Sequence, residues 1–160
     1  MDFDERLRRA VERGRRKNEA AEAEAKAKAM SADETKRLHS KYRLELSDHI
    51  EKSVARMIDY FPGFEKEIIF GEQGWGAAVT RDDLTMSSGQ RTSARSRFEV
   101  CVRPLSDYHV LDVAAKGMIH NKELFQRNHF ERVEDAQCDQ YIQRIDQWVL
   151  EFAELFASKA

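Results

Sequence analysis

Residues 136–157 read AQCDQYIQRIDQWVLEFAELFA, and this stretch decides the fold. Its apolar members, Cys138, Tyr141, Ile142, Ile145, Trp148, Val149, Phe152, Leu155 and Phe156, step by threes and fours, as one stripe of an α-helix does. Asp135 is the expected N-cap, and Glu134, Asp135 and Asp139 place negative charge where a helix N-terminus favours it. Each large side chain fully buried from such a stripe contributes ~1.5–3 kcal/mol. A helix carrying Trp148, Phe152 and Phe156 therefore needs a broad apolar surface to lie on.

Two other regions can supply it. Ser31-Ala-Asp-Glu34 has the form of a capping box, in which a serine hydroxyl and a glutamate side chain satisfy exposed backbone amides reciprocally, so a helix and the domain proper are expected to begin there. Leu38, Tyr42, Leu46, Ile50, Val54, Met57, Ile58 and Phe61 then keep one apolar face until Pro62-Gly63 stops it. From Phe64 onward helical spacing gives way to alternation. FEKEIIF and WGAAVT, joined by Gly71-Glu-Gln-Gly74, form a hairpin, and RDDLTMSSGQ reads as a polar loop. RTSARSRFEVCV puts Phe98, Val100 and Val102 on one face and Arg95, Arg97, Glu99, Cys101 and Arg103 on the other; YHVLDVAAKGM and KELFQRNHFERV follow as further strands. Short connections make consecutive strands antiparallel neighbours.

The expected fold class is therefore α+β: a five-stranded antiparallel meander with two long amphipathic helices packed on one face, plus a charged N-terminal helical extension. Residues 1–30 form the extension and 31–160 the single domain. In the extension Phe3, Leu7 and Val11 step by four, but Gly14 interrupts and AAEAEAKAKA has no bulky side chain. Such a helix suits a solvated projection, a dimer arm, or contact with nucleic acid through Arg13, Arg15, Arg16 and Lys17.

Composition narrows the partners. A formal net charge of -2 on 160 residues gives no global pull toward nucleic acid or anionic membrane. No apolar run is long enough to cross a bilayer and the N-terminus MDFDERLRRA has no signal core, so a cytoplasmic protein is expected, with Cys101 and Cys138 reduced.

No catalytic signature stands out. GEQGWG lacks the spacing and the following helix of a phosphate-binding loop, and reads as a turn. His109 and His129 would face each other if the fourth and fifth strands turned near Ile119, but no third ligand has motif spacing, so no metal is expected. Cys101 beside Arg103 could be a partly activated thiolate, without an assignable base. His49, at the edge of the second helix's apolar face, reads as structural.

The clearest local signal is charge. Arg81, Arg91, Arg95, Arg97 and Arg103 gather in and around the loop and the third strand with Thr92, Ser93 and Ser96 interleaved and Asp82, Asp83 and Glu99 diluting them, as an ordinary solvated, cross-strand-paired face or as one for an anion or a carboxylate-rich protein; Trp75 is a packed strand residue or an exposed anchor for a partner. Aromatics for base stacking are absent from that face, which disfavours nucleic acid. The expected function is a non-enzymatic protein-interaction or adaptor/chaperone-like domain, binding another protein or itself as a homodimer, with no cofactor and no membrane contact. The alternative is a small-molecule binder or enzyme with a pocket between the sheet and the C-terminal helix, lined by Tyr108, Asp112 or Gln126.

Overall fold

Alternating segments joined by tight turns pair with their neighbours, and the computed structural model, which describes residues 2–159 but not the side chains of residues 28–30, 85 and 87, has that topology. Helix α1 (Phe3–Ala55) and the short α2 (Met57–Tyr60) precede strands β1 (Glu65–Ile69), β2 (Trp75–Ser87), β3 (Gln90–Val102), β4 (Val110–Ile119) and β5 (Lys122–Arg132). A 3-10 turn (Val133–Asp135) leads into α3 (Cys138–Lys159). The strands form one antiparallel sheet in the order β1-β2-β3-β4-β5, so the α+β reading with a five-stranded meander holds.

The chain divides into two compact units, Met1–Arg37 and Leu38–Ala160. In the first, Asp2 caps α1 by accepting the Glu5 amide on Oδ1 at 2.8 Å. Phe3, Leu7 and Val11 all stand exposed on it. The helix runs through Gly14, whose surroundings are open, and through Ser31. The capping box at Ser31 therefore starts nothing: Thr35 Oγ1 donates to the Ser31 carbonyl at 2.9 Å, a bond of a helix interior. Strong helix formers on the N-terminal side of Ser31 leave no free amides there for a box to satisfy.

In the second unit the expected helix to Phe61 is interrupted at Arg56, between α1 and α2. Leu46, Ile50, Val54 and Met57 are buried from this side, and Tyr141, Ile145, Trp148, Phe152 and Phe156 from α3. They join Ala77, Val79, Phe98, Val100, Val102, Leu111, Val113 and Ala115 in one core, so both helices cover the same sheet face. Phe152 is the centre. Its ring stacks on Phe98 at 4.5 Å and meets Phe125 edge-on at 6.0 Å. Gly117 makes that approach possible: a Cβ there would lie 2.6 Å from the Phe152 ring.

Asp135 is not the cap of α3. It closes the 3-10 turn, and the first helical amides, of Gln140 and Tyr141, turn back to the Gln137 carbonyl instead. The Tyr141 hydroxyl donates to the Leu111 carbonyl at 2.7 Å, and the Tyr42 hydroxyl to the Ala136 carbonyl at 3.3 Å, tying both helices to the chain around them.

Truncating Phe152 or Trp148 to Ala removes a buried aromatic from this core and is expected to cost ~3–5 kcal/mol in urea unfolding. Gly117→Ala should also lower the midpoint, because the new methyl displaces the Phe152 ring. Undiminished stability in Phe152→Ala would refute this core.

Candidate interaction surfaces

The segment 81–90 is not a loop. β2 and β3 stay paired from Trp75↔Val102 out to Ser87↔Gln90, whereas β4 reaches β3 only as far as Arg97↔Met118. The β2–β3 hairpin thus outruns its neighbour as a two-stranded ribbon, about 20 Å long at ~3.3 Å per residue. Ser88 and Gly89 both have positive φ, 54° and 77°, which is the two-residue turn whose twist suits a hairpin. The Ser-Gly pair and the alternation Asp82, Leu84, Met86 were the sequence signals for it, masked by the polar residues between them.

The ribbon's root is braced on two sides. Arg81 lies over the rings of Phe156 and Phe64 at 4.8 and 5.3 Å, binds Asp83 at 3.1 Å and donates to the Pro62 carbonyl at 3.4 Å. On the other side the β4–β5 turn docks on β3. Asn121 accepts the Arg95 amide on its Oδ1 at 2.9 Å, donates its own amide to the Arg95 carbonyl at 2.8 Å, and donates Nδ2 to the Ser93 carbonyl at 2.9 Å. The His120 amide adds a bond to Ser96 Oγ at 3.2 Å. Three dipolar groups of Asn121 thus extend the ladder where β4 has ended.

The predicted arginines fall into two groups. Arg97 is held by Glu67 at 2.8 Å and Glu99 at 3.3 Å. Burial opposes its charge, but the Glu67 hydrogen bond and the Glu99 field outweigh that and raise its pKa, while Arg97 in turn holds the Glu67 carboxyl below its usual range. Arg103 pairs with Asp112 at 3.6 Å. Arg91 and Arg95 belong to the ribbon instead, exposed and opposite Met86 and Asp82. Leu84 and Met86 share that outer face, each 71% exposed. Trp75 sits apart, half-buried opposite Val102 with the Arg43 guanidinium 4.2 Å over its ring.

A second surface is the seam between the two helices that cover the sheet. A groove of about 590 Å³ is lined there by residues including Met57, Phe61, Val149 and Ala153, with His49, Ser53 and Asp146 at its polar end. His49 Nε2 meets Asp146 Oδ1 at 2.7 Å and Ser53 Oγ at 3.2 Å. Acid and hydroxyl share one ring nitrogen, so the arrangement is an interhelical clamp and not a relay, which needs them on opposite nitrogens.

Several constellations weighed from the sequence are not formed. His129 pairs in register with Val113, not His109, which lies in the turn before β4 at φ 55°. His129 binds Glu131 at 2.8 Å. Burial, reinforced by Glu99, pushes the Cys101 thiol up, so it is no activated thiolate; burial and Glu45 push Cys138 up to about 12. Tyr108 and Gln126 are exposed, and Asp112 bonds Asn128 at 2.9 Å on the outer face, so these three do not converge between sheet and α3. Among the described residues no group of three or more His, Cys, Asp or Glu could hold a metal ion, and no helix is long and apolar enough to cross a membrane. No family model, curated protein or solved structure matches this chain.

His39, which no local sequence signal singles out, is 4% exposed, with its Nε2 buried and unpartnered among the described residues, as is Arg43 Nε one turn on. Burial lowers the His39 pKa, against a hydrogen bond to the Arg103 backbone that raises it, and the Arg43 charge adds to the depression. An imidazole depressed in the native state binds fewer protons there than in the unfolded chain. Its contribution to stability is full above the ordinary value of 6.5 and declines as the pH falls below it. Urea midpoints measured from pH 8 down to 5 should fall in the wild type, and His39→Leu should flatten that slope.

Proposed function

We propose that this protein is a non-enzymatic interaction module of adaptor type, which docks on an acidic protein surface through the outer face of the β2–β3 ribbon. One observation carries the reading: Leu84 and Met86 stand 71% exposed beside Arg91 and Arg95 on a hairpin that outruns the sheet. Two large apolar side chains next to each other in water gain from being covered, and the flanking guanidinium groups select a partner with carboxylates at matching places. Nucleic acid fits less well, because Leu84 and Met86 occupy the positions where a single-strand platform carries stacking aromatics. The free thiols of Cys101 and Cys138 accord with a reducing compartment such as the cytoplasm.

Self-association is a second reading, favoured by Phe3, Leu7 and Val11, which stand exposed one turn apart on the first unit. A second copy is the commonest occupant of such a stripe, and two-fold pairing the commonest geometry.

Isolation of the full tagged chain with whatever co-purifies, followed by mass spectrometry, tests the first reading. Protein partners should be recovered with the wild type and lost with both Leu84→Asp/Met86→Asp and Arg91→Glu/Arg95→Glu. Partners retained by both variants, or RNA in place of protein, would contradict it. Sedimentation equilibrium tests the second: twice the chain mass at micromolar concentration, reduced by Leu7→Asp with Val11→Asp. A monomer at ~100 μM would exclude a dimer in the micromolar range.

A further inference from the structure

The seam between the two core helices has the form of a receptor for a third. Its floor is the buried Met57, and half-buried Phe61, Val149 and Ala153 form its walls. Two large side chains rise out of it, Tyr60 at 75% and Leu150 at 70% exposure, one on each bank. A small molecule lying on the floor would leave both rims wet. A body wide enough to rest on both banks covers them together with the floor, and Tyr beside Arg is the composition in which interface energy concentrates.

Length and charge specify that body further. Along the first bank the lining runs from His49 to Tyr60, about 16 Å at 1.5 Å per residue. An amphipathic helix presenting anchors at i, i+4 and i+7 spans about 10 Å and fits within it. Of the charged groups lining the groove, Asp146 is already engaged by His49 at 2.7 Å and by Ser53 at 3.5 Å, whereas Arg56 is exposed beside the apolar floor. We propose that this groove binds an amphipathic helix of a partner protein, with three apolar anchors on the floor and an acidic residue set against Arg56. The site is separate from the ribbon, so the two readings stand or fall independently, and together they make the chain a two-sided adaptor.

A display library of helical peptides with randomised apolar and charged positions, selected on the full chain, identifies the binding pattern without a known partner. Selected peptides should share apolar residues at i, i+4 and i+7 with Glu or Asp at the edge, and fluorescence anisotropy should show micromolar binding. Leu150→Glu, at an exposed position that leaves the core intact, should weaken it by at least ~10-fold. Arg56→Glu should invert the preference toward peptides in which Lys replaces the acid. Leu84→Asp/Met86→Asp should leave peptide binding unchanged. A library without binders, binders indifferent to Leu150→Glu, or no discrimination between Glu and Lys peptides would overturn the proposal. So would saturable binding of dodecanoate at the groove without peptide binding, which would assign it to a small amphiphile.

Discussion

Phe152 can lie against the sheet because Gly117 presents no side chain beneath it, and the domain's other arrangements follow from that contact. A Cβ at residue 117 would approach the ring to 2.6 Å, and the ring stacks on Phe98 at 4.5 Å. With the middle of α3 set at that depth, Tyr141 reaches the Leu111 carbonyl at one end of the helix, and Phe156 packs edge-on to Phe61 and Phe64 at the other. Interiors at crystal-like density leave little room for alternatives. The cluster that ends with Phe156 is also the floor for Arg81, so the aromatic core reaches directly to the root of the ribbon.

What was legible in the sequence was the part governed by period. The stripe from Cys138 to Phe156 and the alternation at Phe98, Val100 and Val102 are repeated many times, and burial enforces them, so the two-layer α+β architecture follows. Local punctuation was less reliable. The capping box at Ser31 obeys the rule for a helix start, yet it sits after a run of helix formers with nothing to stop the helix from continuing. The ribbon was lost for the opposite reason. Its outer face is exposed and its inner face is covered only at the root, at Arg81 and Ser96, so no continuous buried face imposed a pattern, and its strand character lies in cross-strand pairs and a positive-φ turn that composition alone reads as a loop.

The candidate surfaces were half visible. Arg95, Arg97 and Arg103 do share a face, as alternation requires, but whether an arginine is available depends on its cross-strand neighbours, and these are set by register. Glu67 lies on β1, thirty residues before Arg97, and Asp112 on β4, so cross-strand pairing could be expected of this face but nothing local announced which carboxylates match the two guanidinium groups. The groove was hidden for a similar reason: His49, Arg56 and Tyr60 come from one end of the domain's sequence, Asp146 and Leu150 from the other.

The division among the arginines carries an argument about specificity. On the sheet proper, Arg97 and Arg103 are each ion-paired across strands, and a partner reaching them would have to displace a carboxylate already in place. Such pairs on a largely solvated face contribute little to stability, yet they cancel the field that a partner would sense from a distance. On the ribbon, Arg91 stands opposite Met86, so its charge and the apolar surface beside it are presented together. In the proposed docking, the charge therefore draws a partner to the place where contact also removes apolar area from water. On that proposal electrostatics would set the direction of approach, and burial of Leu84 and Met86 would supply the affinity.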